Sequence, residues 1–301
     1  MEITEIFRRY TDQVCEIHLY QRILKTNARK EYEGVIQFGM QQKRIWEEHG
    51  IPTEIPLSTH NFFFRTAQFN QQNCFYGYKE RRLEDQKLAV WRHKNKQYQW
   101  LLAEAYELFE DFMERADAFA AYTDRNFWPL KNYGNISLLE LEKQNFDWFI
   151  TQANADTLKN ISERFSKKFP QIKRLESYNK LDVNLRLAIV LTENLRHVIV
   201  HNKGIVSDKG EFIKKVLTES RLYGNKKLLG RHIKFIETFF GSNEHKNLVH
   251  LLEIPIDPNS PGEMYVDIFE DLSNLLMAYA LVIVECLQAN NDNGNSVVSS
   301  G

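Results

Sequence analysis

The 301-residue chain predicts an all-α protein, a helical bundle with a mostly helical N-terminal extension and a small irregular or β insertion near residues 205–262. Gly and Pro number only 13 and 7, so long stretches carry no helix breaker, and Glu80 to Phe127 contains neither. Apolar residues recur at helical spacing over most of the length. A hydrophobic share of 43% suffices for a buried core.

The first helix is predicted from Ile3 to about Gln21, where Ile3, Ile6, Phe7, Tyr10, Val14 and Ile17 form one stripe. Between Tyr32 and Gly77 lie Gly34, Gly39, Gly50, Pro52 and Pro56, then an aromatic cluster of Phe62, Phe63, Phe64, Phe69, Phe75 and Tyr76. This stretch is expected to bend around a pocket or partner. Its rings are expected in the core rather than on a base-stacking platform, and Trp91, Trp100 and Trp128 are counted as core too. Glu80 to Phe127 is read as one very long helix or two joined helices. Asn135 or Ser137 is expected to cap a helix over Leu138 to Ala153, and Asp156 the next, which runs toward Lys168 and stops at Pro170. Asp182 or Asn184 opens a further helix that ends at Gly204, a residue suited to the left-handed position past a helix end. A short strand is expected over Asn247 to Ile256, a loop at Pro255, Pro258 and Pro261, and a last helix from Glu263 to Gln288. The resulting division is an extension over 1–95, a helical domain over 96–289 with the 205–262 insertion, and a flexible polar tail over 290–301.

A net charge of -1 gives no global attraction to nucleic acid or to an anionic membrane. The balance conceals a local patch in which Lys214, Lys215, Arg221, Lys226, Lys227, Arg231 and Lys234 are opposed only by Glu219. Lys214, Lys215, Lys226, Lys227 and Arg231 are the candidates for RNA-backbone contact, against the plain alternative of a solvated face. Cys15, Cys74 and Cys286 form no metal or disulfide spacing and read as free thiols. The N-terminus lacks a signal-peptide pattern, and Leu275 to Val284 is too short for a membrane span. The expected location is cytoplasmic, with no membrane partner. His232, His245 and His250 are expected to be solvated or locally hydrogen-bonded. No P-loop, GxGxxG turn or GxSxG elbow occurs.

The chemistry-bearing segment is Leu195 to Gly204. Glu193, His197 and His201 recur every four residues, and Arg196 falls in the same sector, so all four share one helix face. Arginine holds phosphate through paired donors, and histidine transfers protons both ways near neutrality. Together they suit phosphodiester chemistry without a metal. Two duller arrangements fit the same residues. Arg196 pairs with Glu193, or Glu193, His197 and His201 ligate a metal ion, although HExxH is absent and Arg196 repels a cation.

The run Leu191-x-Glu193-x-x-Arg196-His197-x-Ile199-Val200-His201-Asn202-x-Gly204 resembles the Arg-x4-His signature of the HEPN (higher eukaryotes and prokaryotes nucleotide-binding) family. The resemblance covers about Tyr98 to Asp208 and the last helix. It implies a helical bundle that dimerises so that two motifs share a cleft. It also implies metal-independent endoribonuclease activity without cofactors, in toxin–antitoxin or anti-phage systems, with an antitoxin or sensor protein as a further partner. Other members are inactive modules that bind RNA, nucleotide or protein. On this reading His201 and a second imidazole, His197 or one from the other protomer, exchange protons with the ribose 2′-OH and the leaving 5′-oxygen. Arg196 holds the phosphate, while Glu193 and Asn202 support the site by fixing an imidazole tautomer and by contacting substrate or capping the helix.

Overall fold

In the computed structural model the described residues are 2–51, 56–67, 73–134, 136–224, 228–255 and 265–298, with side chains described as far as residue 290. Among them the secondary structure is almost wholly helical, as the periodicity predicts, with two small two-stranded sheets. The chain divides into two compact units. One comprises residues 1–19 and 98–301, the other residues 20–97. The boundary expected at residue 95 is therefore only half of the division, because the apolar stripe of the first helix belongs with the larger unit.

In the larger unit, α1 (Ile3–His49) buries Ile3, Ile6, Tyr10, Val14 and Ile17, the stripe read from sequence. Tyr10 stacks on Phe112 of α2 (Leu83–Thr123) at 5.1 Å between ring centroids. α2 is one continuous helix and buries Tyr98, Leu102, Phe109, Phe112 and Met113. Trp128 lies in the core and donates through Nε1 to Asp117, which also holds Arg164 at 2.8 Å.

The helix expected over Leu138 to Ala153 is two helices, α3 (Leu138–Leu141) and α4 (Phe146–Ala153). Ser137 caps the first in a capping box with Glu140, and Asn145 restarts the chain by accepting from Trp148 N. Asn135, the alternative cap, lies outside the described residues. Thr157 rather than Asp156 caps α5 (Leu158–Lys168); Asp156 instead accepts from Asn160 and Arg164. Pro170 ends α5 and also starts α6 (Pro170–Ser177), because its fixed φ suits a first helical position. Asn184, not Asp182, caps α7 (Leu185–Asn202) through Leu187 N. Two further helices follow, α8 (Lys209–Glu219) and α9 (Leu229–Glu237).

In the smaller unit α1 continues to His49 through Gly34 and Gly39, where the sequence suggested a bend. Gly39 fits against the Leu83 side chain, which a Cβ would meet at 2.5 Å. β1 (Ser58–Arg65) and β2 (Asn73–Arg81) form an antiparallel hairpin that leaves Phe62, Phe63, Phe64, Phe75 and Tyr76 exposed. The expectation that these rings are core is overturned, since a lone two-stranded sheet has two faces to cover and no second layer among the described residues. Phe69 and Pro52 lie outside those residues. Trp91 and Trp100 are likewise exposed.

The strand expected over Asn247 to Ile256 is reduced to isolated bridges at Leu248 and Val249 and to β3 (Glu253–Pro255), which pairs with β4 (Tyr265–Asp267). Ile256, Pro258 and Pro261 lie outside the described residues. The last helix, α10 (Ile268–Val298), starts later than expected and runs through residues 290–298, which the sequence assigned to a tail. Its span Ile268–Asn290 is long and apolar enough to cross a membrane by length and composition, against the shorter run read from sequence. Phe269, Leu272, Leu276, Tyr279, Ala280 and Ile283 are buried in the unit, where α10 packs on α6 and α7.

The C-terminus of α7 shows why Gly204 is glycine. Lys203 takes the left-handed conformation with φ 57°, and Gly204 follows at φ 80° and donates to Val198 O at 3.0 Å. A Cβ on Gly204 would lie 2.5 Å from the Gln99 amide, which is itself buried and bonded to Val249 O at 2.8 Å. Gly204→Ala is expected to destabilise the protein by about 1–3 kcal/mol, from a strained φ plus displacement of Gln99. Urea unfolding checks this, and a variant as stable as the parent contradicts it.

Candidate functional site

α7 presents two opposite faces. Leu187, Ala188, Leu191, Leu195 and Ile199 are almost fully buried, and this apolar face fixes how the helix is rolled. Asn194, also buried, donates to Glu219 of α8 at 2.7 Å and locks the two helices together. The opposite sector carries Arg186, Glu193, Arg196 and His197, and all four line one hollow of about 290 Å³. α2 contributes Tyr106 and Glu110, α5 contributes Lys159, and α8 contributes Lys215 and Glu219.

Arg196 and His197 are therefore brought to the hollow together. His201 is exposed and does not line it, but its ring lies 4.7 Å from that of His197 between centroids, so a continuous imidazole edge leads outward from Arg196. Arg196 pairs with Glu107 of α2 at 2.9 Å, not with Glu193 on its own helix. That pair uses Nη2, and the Nε of Arg196 is buried without a partner. Arg186 shows the same pattern: one Nη2 contact to Glu163 at 3.4 Å and a buried, unpartnered Nε. Ser162 Oγ, on the wall of the same hollow, is buried without a hydrogen-bond partner among the described residues as well.

Glu193 sits where the loss of surrounding water, then the charges of Glu219 and Glu110, hold its carboxyl above the usual carboxylate range. Burial likewise raises Glu110, against the pull of Arg196. Asn202 is exposed in the last turn; its carbonyl accepts from Ile205 N at 3.0 Å, while the cap position itself is Lys203. Among the described residues no group of three His, Cys, Asp or Glu is placed to hold a metal ion.

The basic patch is less free than its sequence suggests. Lys214 and Lys215 are exposed on α8, with Lys215 at 4.0 Å from Glu219, whereas Arg231 is paired with Asp182. Arg221 is paired with Glu163. Lys226 and Lys227 lie outside the described residues. His232 is buried rather than solvated, and burial lowers its pKa. A larger hollow of about 850 Å³ lies beside Trp128 and α5; of the cations that line it, Arg164 is committed to Asp117 and Asp156, and Lys131, Lys167 and Lys168 stand beside it.

Arg186, Glu107 and Glu110 escaped the reading of the sequence. Arg186 was legible in principle, since it precedes Glu193 by two helical turns and shares the face of Arg196 and His197. Glu107 and Glu110 come from a helix distant in sequence, and no local pattern announces them.

No protein-family model matches the chain, nor does any curated protein or solved structure.

The raised carboxyl of Glu193 lowers the protein's stability at high pH. Its folded pKa lies above the unfolded value, so both states are protonated at low pH, and the penalty for ionising it grows as pH rises from the unfolded pKa through the folded one. Glu193→Gln is expected to raise Tm relative to the parent near pH 8, with the difference shrinking toward pH 4. A difference that is constant across that range contradicts the assignment.

Proposed function

We propose that this chain is a metal-independent endoribonuclease of the HEPN type, acting in bacterial anti-phage defence or a toxin–antitoxin pair. The observation that carries the reading is that Arg196 and Arg186, each with an Nε that has no acceptor, line one hollow together with His197. A phosphate that enters this hollow meets two arginines among its lining residues. The Arg196–Glu107 pair is no obstacle, because Glu107 is largely exposed and such pairs contribute only about 0–1 kcal/mol.

RNA brings its own nucleophile, so the protein needs to hold the phosphate, take one proton and return one. Arg196, aided by Arg186, binds the non-bridging oxygens and stabilises the charge that grows on them as the 2′-oxygen attacks phosphorus. An imidazole base removes the 2′-OH proton, the P–O5′ bond breaks, and an imidazolium gives its proton to the leaving 5′-oxygen. The products are a 2′,3′-cyclic phosphate and a free 5′-hydroxyl. His201 lies outside the hollow of its own chain, which suits a homodimer in which a second copy completes the proton transfers.

A catalytically silent module that binds RNA or nucleotide is the second reading. It is favoured by the Arg196–Glu107 contact, which leaves the guanidinium engaged in the free chain.

The test is incubation of the purified chain with RNA in the presence of a chelator, followed by analysis of the ends. Fragments with cyclic phosphate are expected, DNA is spared, and Arg196→Ala and His201→Ala each lower the rate by about 10²–10⁴-fold. If His201→Ala cleaves as fast as the parent, or the chelator abolishes cleavage, the proposal is wrong. Binding without fragments selects the silent module.

A further inference from the structure

The hairpin of the smaller unit carries an unusual surface. In an antiparallel pair opposed residues share a side, so Ser58 and Arg81, His60 and Lys79, and then Phe62 and Phe64 lie along one face. The bulge opposite Phe62 and Phe63 inserts Tyr76 on that same face, where its ring meets Phe62 at 5.9 Å and Phe64 at 6.1 Å. The three rings are 41%, 64% and 54% exposed for Phe62, Tyr76 and Phe64. They are tilted at 40° and 58° rather than stacked on one another, so their π faces stay open.

The row of rings leads to Lys79, which is exposed, and to Arg81, which is half-buried. The only acid in the two strands, Glu80, pairs with Thr59 on the other side. Among the described residues Lys79 and Arg81 have no ion-pair partner. This face therefore combines flat apolar rings with unneutralised cations and holds no carboxylate.

We infer that this face binds single-stranded RNA, with Phe62, Tyr76 and Phe64 stacking on bases and Lys79 and Arg81 meeting phosphates. The identity of the strand as RNA rests on the endoribonuclease reading above. Open π faces beside a positive track are what sequence-tolerant strand binding requires, since every base has a face and every linkage a charge. A bilayer fits less well. Asn61, Arg65 and Asn73 are exposed in the same two strands, and such polar groups entering hydrocarbon without partners carry a large desolvation penalty.

The test uses the full chain and a fluorescent 2′-O-methyl oligouridine, which lacks the nucleophile and cannot be cleaved. Anisotropy is measured over a range of salt. Tyr76→Leu and Phe64→Leu keep apolar bulk but remove the flat faces, and each is expected to weaken binding on the order of tenfold. Lys79→Ala and Arg81→Ala are expected to flatten the dependence of log affinity on log salt, by about 0.7 for each phosphate no longer neutralised. Unchanged affinity in the leucine variants overturns the inference, as does failure of the parent to bind. So does ring-dependent capture on phosphatidylserine vesicles without an effect on the oligonucleotide, or a dimer that the leucine variants dissociate. Because the probe is inert, binding that is ring-dependent in a chain that cleaves nothing removes the enzyme reading alone. Cleavage with ring-independent binding removes the hairpin surface alone.

Discussion

The structure of the larger unit depends on the burial of one face of α7. Leu187, Ala188, Leu191, Leu195 and Ile199 are sealed in a core to which α6, α8 and α10 contribute. Each Leu or Ile buried there stabilises the fold by about 1.5–3 kcal/mol, whereas an exposed ion pair gives about 0–1. The apolar face therefore decides how the helix is rolled, and the charged sector goes where that roll sends it. Arg186, Glu193, Arg196 and His197 face the hollow because five hydrophobic neighbours face the other way.

That division of labour explains why the site tolerates unsatisfied groups. Two guanidinium Nε atoms without acceptors, and a carboxyl at Glu193 held above its ordinary range, are unfavourable locally. The core holds them in place regardless. The half-buried Asn194–Glu219 bond serves the same rigidity. It fixes α8, and with it Lys215, at the rim of the hollow.

How much of this was legible in the sequence follows from range. The helices α2, α7 and the body of α10 announce themselves by period, and the residue type of Gly204 marks the left-handed turn after α7. The sequence also put Arg196 and His197 on one face, and the structure keeps them together. Short-range capping was harder: Asn145 broke a helix that composition alone would have continued, and Thr157 took a cap offered to Asp156. Gly34 and Gly39 read as breakers, yet α1 passes through both. The aromatic cluster departs from the core pattern because hydrophobicity signals burial only when another layer exists to provide it, and a hairpin supplies none. Glu107 and Glu110 reach the site from about ninety residues upstream, a relation that only folding creates.

The proposed nuclease site requires Arg186 and Arg196 to respond to a phosphodiester placed in the hollow that both line. The direct measurement is nitrogen-15 NMR of the arginine Nε–H resonances of the full chain, titrated with an uncleavable 2′-deoxy dinucleotide. The Nε–H signals of both arginines are expected to move downfield together and exchange more slowly with water as the ligand binds. Binding of the dinucleotide with both signals unmoved would contradict the proposal.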